Sequence, residues 1–446
     1  MAFSHKVALA GAVFVAACSA RTTSVSFGIS PPDSPARYAA PESERIEHVI
    51  VVIQENRSFD NLFATFPGAD GATEGKMSNG KTVHLKKSDL AFPIDLNHNW
   101  LVFLRDYDDG KMDGFNLENN GKGGYAGAIP YRYVDPKQIA PYWDMAKAYV
   151  LADHMFQTQG SGSYTAHQDL IRGNTAIDAN DSLIDFPSQQ PWGCDSPQGV
   201  TTSLLTTSQQ FLPRAGPFPC LTYRTMRDLL DAKNVSWNYY SPRVTGSTGA
   251  VWNAFDSIRA VRYGPEWKTN VTSSSSAIFK AISDGKLPAV SWIVPTLPNS
   301  DHPGDHSDRG PSWVASVVNA IGEGRYWKTS AIVIVWDDWG GFYDNVPPPF
   351  RDKGGGLGFR VPMLVVSPYA RKGRVSHTQY EFASILKFIE DNWKLGRLGV
   401  ADVRARSIGD CFDFEQRPRK FVPISVKYSR AFFERQPPSD QPVDTE

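Results

Sequence analysis

Neither sign of charge dominates this sequence. Its 446 residues carry 46 Lys and Arg against 47 Asp and Glu. That excludes the net basic character of a nucleic-acid-binding protein and leaves room only for a local basic patch. Cysteine is scarce, with four in the chain, and no Cys–His spacing matches a zinc site. Long apolar runs are missing too. The run from Val7 to Ala17 is too short to span a bilayer, and no later segment is apolar for long enough. Histidine is also sparse, at nine residues.

What is present begins at the N-terminus. Lys6, the apolar run and Cys18 read as a signal peptide over residues 1–18. Val15-Ala16-Ala17-Cys18 resembles a bacterial lipobox, whose Cys becomes a lipid anchor for membrane attachment. A secretory signal cleaved near Ala20 is the competing reading. Both predict an exported chain: periplasmic, secreted or lipid-anchored to the outer face of a bacterial membrane. Residues 19–43, rich in Ser, Thr, Pro and Ala, read as a flexible tether. Residues 44–446 follow as one large domain. Cys194 and Cys220 flank a polar, loop-like stretch and are free to pair in an oxidising compartment, although sequence alone leaves that pairing open.

Short apolar runs bounded by polar residues recur at 48–53, 289–294, 331–336 and 361–366. Each has the look of a buried parallel strand. Helical faces lie between and after them. Trp313, Val314, Val317, Val318 and Ile321 form one, stopped by Gly322, and Phe382, Ile385, Leu386, Ile389 and Trp393 form another. Met226, Leu229 and Leu230 suggest a third, entered through Thr222. The alternation predicts an α/β fold with a mostly parallel sheet covered by helices on both faces. The stretch around 174–272 lacks periodicity and predicts an irregular cap or lid insertion. Trp237, Tyr239, Tyr240 and Trp252 fall within it, either as core or as an aromatic cage for a cationic headgroup.

Ligands of such sheets bind at the carboxyl ends of the strands. There the first run leads into Glu55-Asn56, the third into Asp337-Asp338 and Gly340-Gly341, and the fourth into Ser367-Pro368-Tyr369. Convergence of Glu55, Asn56, Asp337 and Asp338 would make an oxygen-only pocket. Such a pocket suits one divalent ion, with Ca²⁺, Mg²⁺ or Mn²⁺ favoured over Zn²⁺. The bland alternative has these acids capping helices or pairing with Arg57 and Arg360. Ser163, flanked by Gly160 and Gly162, precedes a helix closed by Gly173. It is either an N-cap or a nucleophile at a phosphate-binding helix start. His98 and His302 sit in polar loops and are candidates to contact phosphate or protonate a leaving group. Asp106, Asp108, Asp109 and Asp113 resemble a calcium loop only loosely and read better as a solvated turn.

Three longer motifs carry a family resemblance. They are His48-Val49-Ile50-Val51-Val52-Ile53-Gln54-Glu55-Asn56-Arg57-Ser58-Phe59-Asp60, Trp336-Asp337-Asp338-Trp339-Gly340-Gly341-Phe342-Tyr343-Asp344-Asn345-Val346-Pro347-Pro348-Pro349, and Arg360-Val361-Pro362 through Ser367-Pro368-Tyr369-Ala370. Together they resemble the signatures of the bacterial phosphoesterase family that holds phospholipases C and an acid phosphatase. The resemblance implies an alkaline-phosphatase-like fold and a catalytic domain over 44–446. It implies metal ligation by Glu55, Asp337 and Asp338, with Asn56 on metal or phosphate. It implies Ser163 as nucleophile with His167 at the phosphate, although Ala166 stands where an asparagine is expected, and His98 and His302 as phosphate-contacting histidines. Asn345 replaces a histidine common in the second signature. The implied activity is metal-dependent hydrolysis of a small phosphate ester or a phospholipid. An inactive exported ligand-binding or surface protein on the same fold is the alternative.

Overall fold

The computed structural model describes residues 45–119, 124–244, 251–349 and 356–437. The stretches read as signal peptide (1–18) and tether (19–43) lie outside them. No described helix is long and apolar enough to cross a membrane.

Eight strands form the central sheet. In chain order they are β1 (His48–Gln54), β2 (Val150–Ala152), β3 (Trp237–Tyr240), β4 (Val271–Thr272), β5 (Val290–Ile293), β6 (Ser330–Trp336), β7 (Met363–Val366) and β8 (Arg374–Ser376). Their spatial order is β4-β3-β5-β1-β6-β7-β2-β8. The middle strands β1 and β6 pair in parallel from His48 opposite Ser330 to Gln54 opposite Trp336. Every residue of β6 is buried, as is all of β1 after His48. A strand buried on both sides has to be apolar throughout, which is why these runs do not alternate.

Four helices bear on the site: α1 (Ser163–Arg172), α2 (Met226–Ala232), α3 (Gly310–Gly322) and α4 (Phe382–Trp393). The packing partner of α1 is α4, while α3 packs on β6. Trp292 of β5 donates its indole N–H to Leu170 O (3.2 Å) and ties α1 to the sheet. The entry to α2 is Thr225 rather than Thr222. Thr225 and Asp228 cap each other reciprocally, and that side chain–backbone exchange outweighs an unpaired threonine three residues earlier.

The run 361–366, expected to be parallel, is antiparallel to both neighbours, β6 and β2. Its apolar character reports burial and not direction. The described part of the connection from β6 holds no helix, and a parallel return would need a crossover. Ser367-Pro368-Tyr369 therefore lands at the far end of the sheet, and Arg360, just before β7, lies at the end where β6 finishes. There the buried Arg360 donates to Asp344 Oδ1 and Oδ2 (2.8 and 3.1 Å) and to Asn345 Oδ1 (2.6 Å). Asn345 thus belongs to an arginine cluster that joins the second and third motifs.

The stretch 174–272 divides in two. Asp181–Ile184, Ser203–Thr206 and Phe211–Leu212 form a separate three-stranded antiparallel sheet, with a Cys194–Cys220 disulfide nearby in sequence. The rest supplies β3 and β4, which extend the central sheet. Trp-Asn-Tyr-Tyr in β3 is fully buried but has too mixed a character to stand out as an apolar run.

Candidate active site

Two strand ends and one helix start meet above the middle of the sheet. Asn56 follows β1 in a left-handed conformation (φ 59°), tolerable for asparagine. Its backbone N–H donates to Asp337 Oδ1 (2.9 Å), which joins the end of β1 to the end of β6. Asp337 Oδ1 also accepts from Asp338 N (2.8 Å), and Asp338 Oδ1 from Gly340 N (2.8 Å). Both aspartates are thus held by the turn that follows them. Arg360 bonds to Asp344, and Arg57 donates from Nε to the Asp301 carbonyl (2.7 Å).

Ser163 is the first residue of α1, and the cap position belongs to Gly162. Its hydroxyl is therefore not occupied in capping. It donates to Asp338 Oδ2 at 3.0 Å. The chain reaches this point through Gly160, where an added Cβ would sit 2.2 Å from the Phe103 ring. No side chain fits there, so the loop lies flush on its support.

One turn further along α1, His167 Nε2 faces Glu55 (3.3 Å) and Asp337 Oδ2 (3.7 Å). Its Nδ1 lies 3.5 Å from Tyr239 Oη, whose own proton goes to Trp252 O (2.9 Å). In the Nδ1-protonated tautomer of His167, Tyr239 oxygen is the acceptor. In the neutral ring this leaves the Nε2 lone pair toward two carboxylates. That arrangement is unfavourable unless a proton or a cation lies between them.

The His98 Nδ1 proton goes to Leu96 O (2.7 Å), and Nε2 accepts from Asn56 Nδ2 (2.8 Å) while lying 3.5 Å from Asp338 Oδ2. His98 thus joins the Ser163 group directly. His302 is placed differently. Its Nδ1 donates to Pro303 O (2.6 Å), and its ring lies 5.9 Å from Trp252, whose indole lies nearly parallel to His167 at 6.4 Å. Of the four aromatic residues considered for a cage, Tyr239 and Trp252 touch His167. Trp237 packs on Phe255 and donates to Asp231, so the four do not form one box. The loop read as a solvated turn is split: Asp108 pairs with Lys111, but Asp106 is fully buried.

Glu55, Asn56, His98, Ser163, His167, Asp337 and Asp338 are all completely buried. Burial, then the charge of Glu55, pushes the Asp337 carboxyl well above its ordinary range, opposed by His167. The ligand atoms of Glu55, His167 and Asp337 lie within 4.8 Å of one another. Asp337 Oδ2 and Asn56 Oδ1 are buried with no hydrogen-bond partner. Crowded acids, a presented imidazole nitrogen and two unpartnered oxygens fit a divalent cation. Where the sequence predicts an oxygen-only set, the group of ligand atoms that lie together includes His167 nitrogen, and a set drawn from it would weaken the case for Ca²⁺ or Mg²⁺ over transition metals. Asp338 stands apart from the three, on Ser163. Sequence reasoning missed Tyr239 as the residue that orients His167, since only tertiary contact joins them.

Fold and site together define an α/β protein with a carboxylate, histidine and serine centre at the carboxyl ends of its middle strands. A model of the Phosphoesterase family matches residues 46–396, and the chain belongs to that family. It is similar to the non-hemolytic phospholipase C of Pseudomonas aeruginosa, at 24% identity over 82% of this chain and 56% of that protein. It is also similar to the non-hemolytic phospholipase C of Burkholderia pseudomallei, at 26% identity over 82% and 58%. The chain thus spans a little over half the length of these curated relatives. Among solved structures, a protein in the alkaline phosphatase superfamily from Vibrio parahaemolyticus matches 82% of this chain and 72% of its own, at 9% identity and a TM-score of 0.38.

Proposed function

We propose that this chain hydrolyses phosphate esters with Ser163 as the nucleophile. The observation that carries the reading is the Ser163 Oγ to Asp338 Oδ2 hydrogen bond of 3.0 Å, beside the buried Glu55, His167 and Asp337 group. Asp338 takes the hydroxyl proton as Oγ attacks phosphorus. The bond to the leaving alkoxide breaks, and water then releases the phosphoryl group from the serine. Glu55, His167 and Asp337, with Asn56 Oδ1, are the residues that would hold a divalent ion. When bound, that ion supplies Lewis-acid stabilisation of charge on phosphate oxygens. Asn56 Nδ2 is positioned to hold a non-bridging oxygen, and His98 would do so once its Nε2 carries a proton; Tyr239 keeps His167 in the required tautomer.

The names of the relatives support phospholipids as substrates, and a simple phosphomonoester is the second reading. The N-terminal apolar run and the Cys194–Cys220 disulfide support export, either with Cys18 as the site of a lipid anchor or through a signal cleaved near Ala20. Ser163→Ala should lower turnover of p-nitrophenyl phosphate or phosphatidylcholine by at least about 1,000-fold while the melting temperature holds. A chelator should abolish turnover, and a divalent ion should restore it. Near-normal activity in Ser163→Ala removes the serine from its role. No hydrolysis of either ester under any divalent ion would favour an inactive binding protein on this fold.

A further inference from the structure

A polar concavity lies along the sheet from the Ser163 centre. Its volume is about 750 Å³, and its lining includes Arg374, Arg404, Arg406, His154, His377 and Glu381. It shares no residue with the centre described above. β8 runs parallel to β2, and both run in the direction of β1 and β6. The residues that follow them, His154 and His377, therefore lie at the same end of the sheet as the Ser163 group, at its β8 edge.

The charges in this cleft are unbalanced. Glu381 is its only acidic lining residue, and Arg404 holds that carboxylate with two bonds, Nε to Oε1 (2.9 Å) and Nη2 to Oε2 (3.0 Å). The guanidinium groups of Arg374 and Arg406 make no hydrogen bond or ion pair among the described residues. The two histidines are held from behind. His154 Nε2 lies 3.0 Å from Asp70 Oδ2, and His377 Nδ1 lies 2.8 Å from Asp153 Oδ2, with the rings 6.2 Å apart. Each aspartate fixes one ring nitrogen and leaves the other for a ligand. An isolated exposed arginine needs no ligand to explain it. Three from two chain segments line one hollow; Arg404 takes up its lining carboxylate, and the neighbouring Asp70, Asp153 and Asp410 are taken up by the lining histidines, Thr378 and Tyr380, which leaves the Arg374 and Arg406 forks for an anion. Guanidinium forks match phosphate oxygens in pairs. The volume lies within the ~300–1,000 Å³ of small-molecule sites and well above the needs of one inorganic phosphate.

We propose that this cleft is a second anion site, separate from the catalytic centre, that binds a linked group of two or more phosphates. A free oligophosphate and a nucleoside polyphosphate share that chemistry. The test is calorimetric titration of the full-length Ser163→Ala protein with inorganic pyrophosphate, and separately with ADP, at about 100 mM salt. Saturable pyrophosphate binding that weakens with salt is expected. Adding Arg374→Ser and Arg406→Ser should lower the affinity by at least about tenfold. Equal loss for both probes marks the shared phosphates as the recognised element, and tighter ADP binding that is lost in the same variant marks a nucleotide. In the Ser163 protein the two arginine substitutions should leave ester turnover within about twofold. Both side chains are exposed, so the melting temperature should hold, and each single variant should show a partial loss. No pyrophosphate binding, or binding unchanged by the double substitution, overturns the proposal. Binding lost instead in Glu55→Gln would assign the anion to the catalytic centre and also overturn it.

Discussion

Gly340 shows how narrow the tolerance is at a single residue. Its φ is 59°, and an added Cβ would lie 2.2 Å from Asn56 O. Two penalties combine there: the left-handed conformation costs an L-residue roughly 1–2 kcal/mol, and the clash pushes on the peptide that follows β1. That peptide carries Asn56, whose N–H holds Asp337. Gly340→Ala should therefore lower both the melting temperature and turnover, the latter by at least about tenfold. Gly80 is the control. It also has positive φ (77°) but nothing within 4 Å of its added Cβ, so Gly80→Ala should cost about 1 kcal/mol and spare activity. Equal effects of the two changes on turnover would refute the role given to the Gly340–Asn56 contact. The residue types Glu55, Asn56, Asp337 and Asp338 are legible from their place after apolar runs. Which oxygen faces which partner is not, because Asp338 reaches Ser163 across 175 positions of chain.

Among the elements, the small three-stranded sheet within 181–212 has few strands with which to hold itself together. The disulfide joins Cys194 and Cys220 across 26 positions, with Cα atoms 4.4 Å apart. Closing a loop of that size stabilises by roughly 3 kcal/mol through the unfolded chain. Replacing both cysteines with serine should lower the unfolding free energy by about that amount. It should also speed proteolysis between positions 194 and 220 ahead of cleavage elsewhere. Unchanged denaturant midpoints would show that the surrounding contacts suffice. The existence of β1, β5, β6 and of α3 and α4 could be read from pattern, since continuous apolar runs and helical spacing report burial directly. The direction of β7 could not, because a strand buried on both faces looks the same run either way. β3 was hidden for a related reason: its aromatic and polar side chains are satisfied by tertiary partners such as Asp231 and Thr272.

For the whole molecule, buried acids set the response to pH. Burial raises Asp256 to about 8, helped by the charge of Asp195 and opposed by Arg262. Burial likewise raises Asp106 to about 8 and Glu390 to about 7. In each case the folded state keeps a proton that the unfolded chain has released. Their contribution is thus complete below the ordinary carboxylate values of 3.8 and 4.5 and is lost as pH rises through the folded values. The melting temperature should fall between about pH 5 and about pH 8.5, and Asp256→Asn should flatten that slope. A melting temperature that rises across this range would contradict the assignment.

By itself the sequence determined which segments are buried, that acids and an amide follow those segments, and that a glycine-flanked serine opens a helix. Burial and local order are written in neighbouring residues, through apolar runs, helical spacing and glycine. Tertiary structure alone decided that His167 joins Glu55 and Asp337, that Asp338 serves Ser163, that Asn345 belongs to Arg360, and that three arginines share one cleft. The pairings at the active centre depend on strand order and strand direction, which bring together residues 112 and 175 positions apart, and nothing local in the chain encodes such distances.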